Sequence, residues 1–315
     1  MVVPDRLPVL AIDIGGTKLA AGLVAQDGTL LRAERTPTGT GDDGEALYAR
    51  LEALAETVAA GVVVTGVGVG CGGPMTWPSG EVSPLNIPAW RDFPLRARLA
   101  ARWPGVPVRV HNDAVAVAIA EHWCGAASGY DDVMGMVVST GVGGGLVLGG
   151  RLVDGRSGNA GHVGHVVVDP EGPDCACGGR GCLEAIARGP AVVAWAVAQG
   201  WRRGSDAATT GRELGADAAD GDAVAVAALA RAGHALGVGI ASATALLDLD
   251  LVVVGGGLSQ TGALLFGPLE ESLRRHARMA FTRAVRVVPA ELGQEAGLVG
   301  AAALVLRGDR YWSAD

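Results

Sequence analysis

An α/β fold with a repeated glycine hairpin is what this chain of 315 residues predicts, and three observations predict it. Short apolar runs alternate with segments in which Ala and Leu recur at helical spacing. Two of those runs, LAIDIGGTKLAAGLV at 10–24 and MGMVVSTGVGGGLVLGG at 134–150, share one pattern. Each is a strand, a glycine turn carrying small hydroxyl or charged groups, and a second strand, so the pair suggests a duplicated domain. A third run, LDLVVVGGGLSQTG at 249–262, reads as a buried strand that ends in glycines ahead of the amphipathic helix FGPLEESLRRHARMA.

Helical patterns occupy about 44–60, 113–124, 183–199 and 222–247, and the mixed stretch WRRGSDAATTGRELGADAADGD at 200–222 reads as an exposed excursion. A net charge of −8 excludes binding to nucleic acid or an anionic membrane through a general positive field, which leaves a small molecule as the expected partner. Two uncharged stretches, 61–80 and 133–150, approach membrane-spanning length, but their glycines, β-branched residues and prolines suit buried strands and turns. The N-terminal MVVPDRLPVLAIDIGG lacks the small-residue cleavage site of a signal peptide, so a cytoplasmic location is expected. In that reducing setting, three cysteines within PDCACGGRGCLEA at 173–185 are metal ligands before they are disulfide partners.

Fifty glycines raise the question of phosphate binding, since glycine turns at strand ends are where phosphates dock. Neither GxGxxG nor GxxxxGK[ST] stands in a usable place, so a different cradle is required. In DIGGTK a carboxylate, Asp13, ends the strand, two glycines turn, and Thr17 and Lys18 add a hydroxyl and a cation, a set suited to a metal-bound triphosphate.

DIGGTK, HNDA at 111–114, STGVGGG at 139–145, AGHVGH at 160–165, CACGGRGCLE at 175–184 and VVVGGGLS at 252–259 stand in the order and spacing of the ROK family (repressor, open reading frame, kinase). The resemblance runs from Leu10 to about Leu306. It implies a bilobal actin-like fold of the duplicated ribonuclease H type, with residues 1–113 and a C-terminal helix at about 297–315 in one lobe and 114–296 in the other. It also implies ATP and sugar between the lobes, phosphoryl transfer to a sugar hydroxyl with Mg²⁺, and a homodimer.

Phosphoryl transfer needs in-line positioning, charge neutralisation and a carboxylate to accept the proton of the attacking hydroxyl. The resemblance assigns that base to Asp113, with Asn112 on a sugar hydroxyl; Asp113 has a second reading as the N-cap of the helix AVAVAIAEHW. Asp13 would lie near Mg²⁺ through water, Gly15, Gly16, Thr17 and Lys18 at the phosphates, Thr140 and Gly141 in the matching place of the second hairpin, and Gly256 and Gly257 at the adenosine. The stretch GGPMTWPSGEVSPLNIPAW resembles the sugar loop, with Gly73 as a close backbone approach and Asn86 as the hydrogen-bonding residue; its Gly73–Pro74 reverses the usual Pro–Gly order. Trp90 is either a wall for the sugar or a packing residue.

His165, Cys175, Cys177 and Cys182 supply one imidazole and three thiolates, a closed structural Zn²⁺ set. In the family reading that zinc braces a loop so that His165 and Glu184 present themselves to the sugar. One position departs from the commoner glucokinase pattern: Gly161-His162-Val163-Gly164-His165 has histidine where a glutamate usually accepts from sugar hydroxyls. An imidazole both donates and accepts, which suits an N-acyl carbonyl, and the surrounding stretch is especially similar to bacterial N-acetylmannosamine kinases. The expectation is an ATP- and Mg²⁺-dependent kinase acting on the 6-hydroxyl of a hexose or N-acylhexosamine, N-acetylmannosamine before glucose, with a cyclitol or other hexose as a further alternative. A rival from another class is a non-catalytic sugar-sensing regulator; the retention of Asp13 and Asp113, and the few residues ahead of Asp13, speak for the kinase. His111, before Asn112, carries no role from sequence.

Overall fold

The structure, a computed structural model, describes residues 7–39, 41, 43–202 and 209–314. Strand β1 (Val9–Ile14) is buried along its length except at Asp13, and it turns back into β2 (Lys18–Val24) in antiparallel register, with β3 (Leu30–Pro37) outside it. Helix α1 (Gly44–Ala59) starts where the Asp43 carboxylate accepts the Ala46 N–H at 2.7 Å, and its stripe Leu47, Leu51 and Ala55 is buried. Strand β4 (Val67–Cys71) is followed by the short pair β5 (Met75–Thr76) and β6 (Glu81–Val82), helix α2 (Leu95–Arg102), β7 (Val108–Asn112) and helix α3 (Asp113–Cys124). The sheet order is β3-β2-β1-β4-β7, with β1, β4 and β7 parallel. Ile14 pairs with Cys71 and Cys71 with Asn112, so the carboxyl ends of the three parallel strands share one edge, the place where open α/β sheets bind ligands.

The second sheet repeats the plan. Strands β8 (Val133–Val138), β9 (Val142–Leu148) and β10 (Arg151–Leu152) form the meander, and β11 (Leu251–Gly255) and β12 (Arg286–Pro289) add in parallel, in the order β10-β9-β8-β11-β12. Between β10 and β11 lie the loop 153–182 and helices α4 (Leu183–Ala187), α5 (Gly189–Ala198), α6 (Gly211–Ala219) and α7 (Ala223–Leu247); α8 (Ala263–His276) precedes β12, and α9 (Ala296–Leu306) and α10 (Gly308–Tyr311) follow it. The duplicated hairpin and the α/β alternation are thus as expected, and the two sheets match strand for strand.

Local chemistry explains where the structure departs from the periodicity. The segment 183–199 is two helices, because Arg188 is extended (ψ 145°) and Pro190, in the first turn of α5, has no N–H with which to continue α4. The excursion at 200–222 contains helix α6, capped by the Thr210 hydroxyl, with Leu214 and Ala218 buried and the Trp201 indole N–H on the Asp217 carboxylate at 3.0 Å; residues 203–208 lie outside the described ones. Helix α7 is the one helix among the described residues long and apolar enough to cross a membrane by length and composition, and half of its most apolar window is buried inside the protein. Added Cβ atoms at Gly233 and Gly237 would meet α8 backbone at 2.5 Å, so this small-residue face lets α8 approach closely.

Contacts divide the chain into two compact units, residues 1–131, 145–161 and 292–315 in one and 132–144 and 162–291 in the other. Helix α3 belongs with the first unit, whereas the sequence reading placed 114–296 together. The reason is α9: an added Cβ at Gly300 would collide with the backbone of Ala116, so the two helices pack with no side chain between them at that point. The core of the first unit runs from Leu10, Ile12 and Ile14 through Val67, Val69 and Val110 to Trp90 and Phe93.

Candidate active site

In the first unit the predicted residues gather at the carboxyl edge of the parallel strands. Gly15 donates its N–H to the Lys18 carbonyl at 3.0 Å, which closes the turn. Thr38, just past β3, holds that turn twice, its hydroxyl donating to the Gly15 carbonyl (2.7 Å) and its N–H to the Thr17 carbonyl (3.0 Å). Gly16, Thr17 and Lys18 are left exposed, an open face of backbone with one cation. Asn86, also exposed, packs against this turn: a Cβ on Gly16 would stand 2.7 Å from that of Asn86. Gly73 binds the same loop, its carbonyl accepting the Leu85 N–H at 3.2 Å.

Asp13 and Asp113 face each other across Gly70, where an added Cβ would lie 3.8 Å from the Asp13 carboxylate and 3.5 Å from the Asp113 Cα. Asp13 keeps some accessible surface, but its carboxyl group is enclosed. Burial first, and the Asp113 charge second, push its pKa up from 3.8 to about 6, against the pull of Lys18 and Arg35. From the other side Gly297, in the first turn of α9, lies so close that a Cβ there would be 2.8 Å from the Asp13 carboxylate. A pair of carboxylates held at such an edge has the chemistry to bind a divalent cation or to accept a proton.

The alternative reading of Asp113 as the cap of α3 is corrected by the geometry. Asn112 is the cap, its side-chain oxygen accepting from Ala114 N–H (2.9 Å) and Val115 N–H (3.4 Å). Asp113 is the first helical residue, its Oδ1 taking the Ala114 N–H at 2.8 Å and its Oδ2 turned towards Gly72. Trp90 is a packing residue: it is fully buried, stacked on Phe93 with ring centroids 4.5 Å apart, and donates to the Gly44 carbonyl at 3.0 Å.

In the second unit the turn Ser139–Gly141 between β8 and β9 is held by Glu184, whose Oε2 accepts the Val142 N–H at 2.8 Å. A Cβ on Gly141 would sit 2.8 Å from the same oxygen, so Glu184 lies directly under the turn. Gly189 N–H donates to the Ser139 carbonyl at 2.7 Å, which places the neighbouring Arg188 at the turn's base. Arg188 Nε is the buried side-chain polar atom that has no hydrogen-bond partner among the described residues, and the sequence reading passed over it. Gly256 adopts φ 92° after β11 and lies against the Val138 backbone, a position that both the conformation and the contact reserve for glycine; Gly257 follows within reach of the Ser139 hydroxyl.

The metal-ligand prediction falls into one cluster. His165, Cys175, Cys177 and Cys182 place their ligand atoms all within 4.8 Å of one another, with Cys175 Sγ to His165 Nδ1 and Cys177 Sγ to Cys182 Sγ both 3.8 Å. Zn–S bonds of about 2.3 Å and Zn–N bonds of about 2.0–2.1 Å put the corners of a tetrahedron about 3.5–3.8 Å apart, so one imidazole and three sulfurs in this arrangement are consistent with a structural zinc. The Gly179 N–H lowers the Cys177 thiol pKa, while burial and then the neighbouring thiols push Cys182 up to about 12. Cys182 is the residue before α4, so the cluster connects directly to Glu184 and through it to the Ser139–Gly141 turn. His162 belongs to the same loop; its carbonyl accepts the His165 N–H (3.0 Å), and the two rings lie near-parallel with centroids 6.3 Å apart.

Residues 9–308 match the family model described as the ROK family. The chain is 38% identical over 307 residues to an N-acetylmannosamine kinase of Citrobacter koseri, covering 96% of this chain and 100% of that one. It is 34% identical over 312 residues to a glucokinase of Thermotoga maritima, covering 95% and 98%. A crystal structure of a ROK family glucokinase from Streptomyces griseus in complex with glucose and AMPPNP matches with a TM-score of 0.82 at 34% identity, covering 96% of this chain and 100% of that one.

Proposed function

The chain belongs to the ROK family and is an ATP-dependent sugar kinase, and from that premise we propose that it phosphorylates the 6-hydroxyl of a hexose or N-acylhexosamine, N-acetylmannosamine before glucose. The observation that carries the mechanism is the carboxylate pair at one sheet edge, Asp113 with an oxygen turned towards Gly72 and Asp13 with its pKa raised to about 6. Asp113 accepts the proton of the sugar hydroxyl as its oxygen forms a bond to the γ-phosphorus, and the bond from that phosphorus to the β,γ-bridging oxygen breaks to release ADP. Asp13 would hold, through water, a Mg²⁺ that would neutralise phosphate charge. Gly15, Gly16, Thr17 and Lys18 contact phosphates, as do Thr140 and Gly141, with the Arg188 guanidinium as an added donor. Gly256 and Gly257 line the adenosine.

Gly73, Asn86, Asn112 and Asp113 bind the sugar together with His162, His165 and Glu184. Asn112 does so with its amide N–H groups, since its oxygen is engaged by the helix. His165, Cys175, Cys177 and Cys182 would hold a structural Zn²⁺ that would fix the loop. His162 supports N-acetylmannosamine, because an imidazole N–H can donate to an acyl oxygen and a glutamate cannot. Glucose is the second reading, favoured by the similarity to glucokinases. The protein acts in the cytoplasm, as a homodimer.

A coupled spectrophotometric assay with ATP, run against N-acetylmannosamine, glucose, other hexoses and cyclitols, tests the assignment, with polyphosphate as an alternative donor. The highest kcat/KM is expected for N-acetylmannosamine with ATP. A preference for glucose of more than about tenfold would overturn the substrate order and leave the kinase reading in place.

A further inference from the structure

His111, to which the sequence assigns nothing, is 1% exposed and has both ring nitrogens engaged. Its Nδ1 accepts the backbone N–H of Asn112 at 2.8 Å, and its Nε2 lies 3.1 Å from Oδ1 of Asp154. A backbone N–H at Nδ1 fixes the tautomer: the ring proton is on Nε2 and is donated to the carboxylate. Asp154 is itself buried, and its second oxygen accepts the Ser313 hydroxyl at 2.7 Å. The two hydrogen bonds compensate the carboxylate for lost hydration, and a pair of this kind tolerates little movement because either partner left alone would be a buried unpaired polar group. Trp77 closes one side, its ring centroid 6.1 Å from that of His111 and 4.5 Å from that of Trp312, which it meets edge to face.

The acceptor at Nδ1 acts on one particular peptide. Asn112 is the last residue of β7 and the cap of α3, so its N–H belongs to the bond about which strand becomes helix, one residue before Asp113. We propose that His111, clamped by Asp154 and Ser313, is a positioning residue that sets the Asn112 peptide and thereby aims the Asp113 carboxylate at the sugar hydroxyl. The inference rests on Asp113 as the base. It also makes Asp154 and Ser313, 43 and 159 residues away from their partners in sequence, part of the support of the reacting group. A misplacement of about 1 Å costs on the order of 10²-fold in rate, which sets the scale of the expected effect.

Two substitutions separate the ring's two contacts. His111→Asn keeps an acceptor at the place of Nδ1 and gives up the contact with Asp154, whereas His111→Gln keeps a donor at the place of Nε2 and gives up the acceptor. His111→Gln is expected to lower kcat about 10- to 100-fold with the KM for ATP within about twofold, and His111→Asn to retain kcat within about threefold although its Tm falls. Equal kcat in the two variants, with Tm lowered in both, overturns the proposal and leaves His111 as core packing. If neither variant folds, Ser313→Ala decides: kcat reduced two- to fivefold at unchanged KM for both substrates supports the clamp, and unchanged kcat removes it. Asp113→Asn run alongside distinguishes the readings, since full turnover in that variant defeats the assignment of the base itself, whereas an inactive Asp113→Asn with indistinguishable His111 variants defeats only the positioning role.

Discussion

The two sheets share a strand order and solve the same problem with different materials. In the first, the glycine turn Gly15–Thr17 follows a strand carrying Asp13 and is pinned by Thr38 at the end of an eight-residue third strand. In the second, the corresponding third strand β10 has two residues, and the turn Ser139–Gly141 is pinned instead by Glu184 from a helix headed by the cluster residue Cys182. A long outer strand can hold a turn by ordinary hydrogen bonds. Where the chain leaves the sheet after two residues, rigidity has to come from elsewhere, and the His–Cys₃ cluster, consistent with a structural zinc, is placed where a bound metal would supply it. The difference also divides the chemistry, since Asp13 on β1 and Asp113 at the start of the helix that follows β7 both stand at the edge of the first sheet, and the second offers backbone N–H groups and an arginine.

The comparison can be broken most sharply at Asp113. Asp113→Asn keeps an oxygen for the Ala114 N–H, so the fold and nucleotide affinity are expected to remain, while the proposed role of Asp113 as general base predicts a fall in turnover of about 10²–10⁴-fold. Turnover above about a third of wild type on the preferred sugar would refute the assignment. Next in size is the brace. Elemental analysis should find about one zinc per chain, and Cys177→Ser should lose it with a fall in Tm and a several-fold rise in the KM for ATP, since Glu184 and the second turn depend on that loop. A zinc-free protein with unchanged melting and full activity would show that β10 needs no substitute.

A smaller effect is expected at His162. His162→Glu should shift the ratio of kcat/KM for glucose over N-acetylmannosamine about tenfold towards glucose, because one hydrogen bond to a neutral partner contributes roughly 0.5–1.5 kcal/mol and an unpaired buried group costs more. Equal loss on both sugars would assign selectivity to the Asn86 loop.

The smallest concerns pH. Asp13 binds its proton more tightly in the folded state, with a pKa of about 6, than in the unfolded state near 3.8, so its contribution to stability is greatest below about 4 and is lost as the pH rises to about 6. Denaturant unfolding from pH 4 to 8 should show that decline, and Asp13→Asn should remove it. Identical pH profiles for the two proteins would mean that the carboxyl group is not enclosed.

Much of this was legible in the sequence because it depends on neighbours along the chain. Alternating apolar runs marked the strands, Ala and Leu spacing marked α1, α3 and α7, and the CACGGRGC spacing marked a metal loop, since thiols two and five residues apart meet whenever glycines let the chain fold back. The same local rules misjudged the segment 183–199, where Pro190 outweighs helical spacing, and the excursion at 200–222, where α6 needs only two apolar positions to pack.

What the sequence by itself determined is the repeated hairpin, the family motifs and the grouping of one histidine and three cysteines in one loop, all of which are patterns within short windows. Only the tertiary structure decided that Asn112 and not Asp113 caps α3, that Asp13 and Asp113 share one edge with Gly70 between them, that Trp90 packs in the core, and that His111 meets Asp154 and Asp154 meets Ser313. These are contacts between residues far apart in the chain. Their existence follows from strand register and helix packing, and no periodicity within a window carries that information.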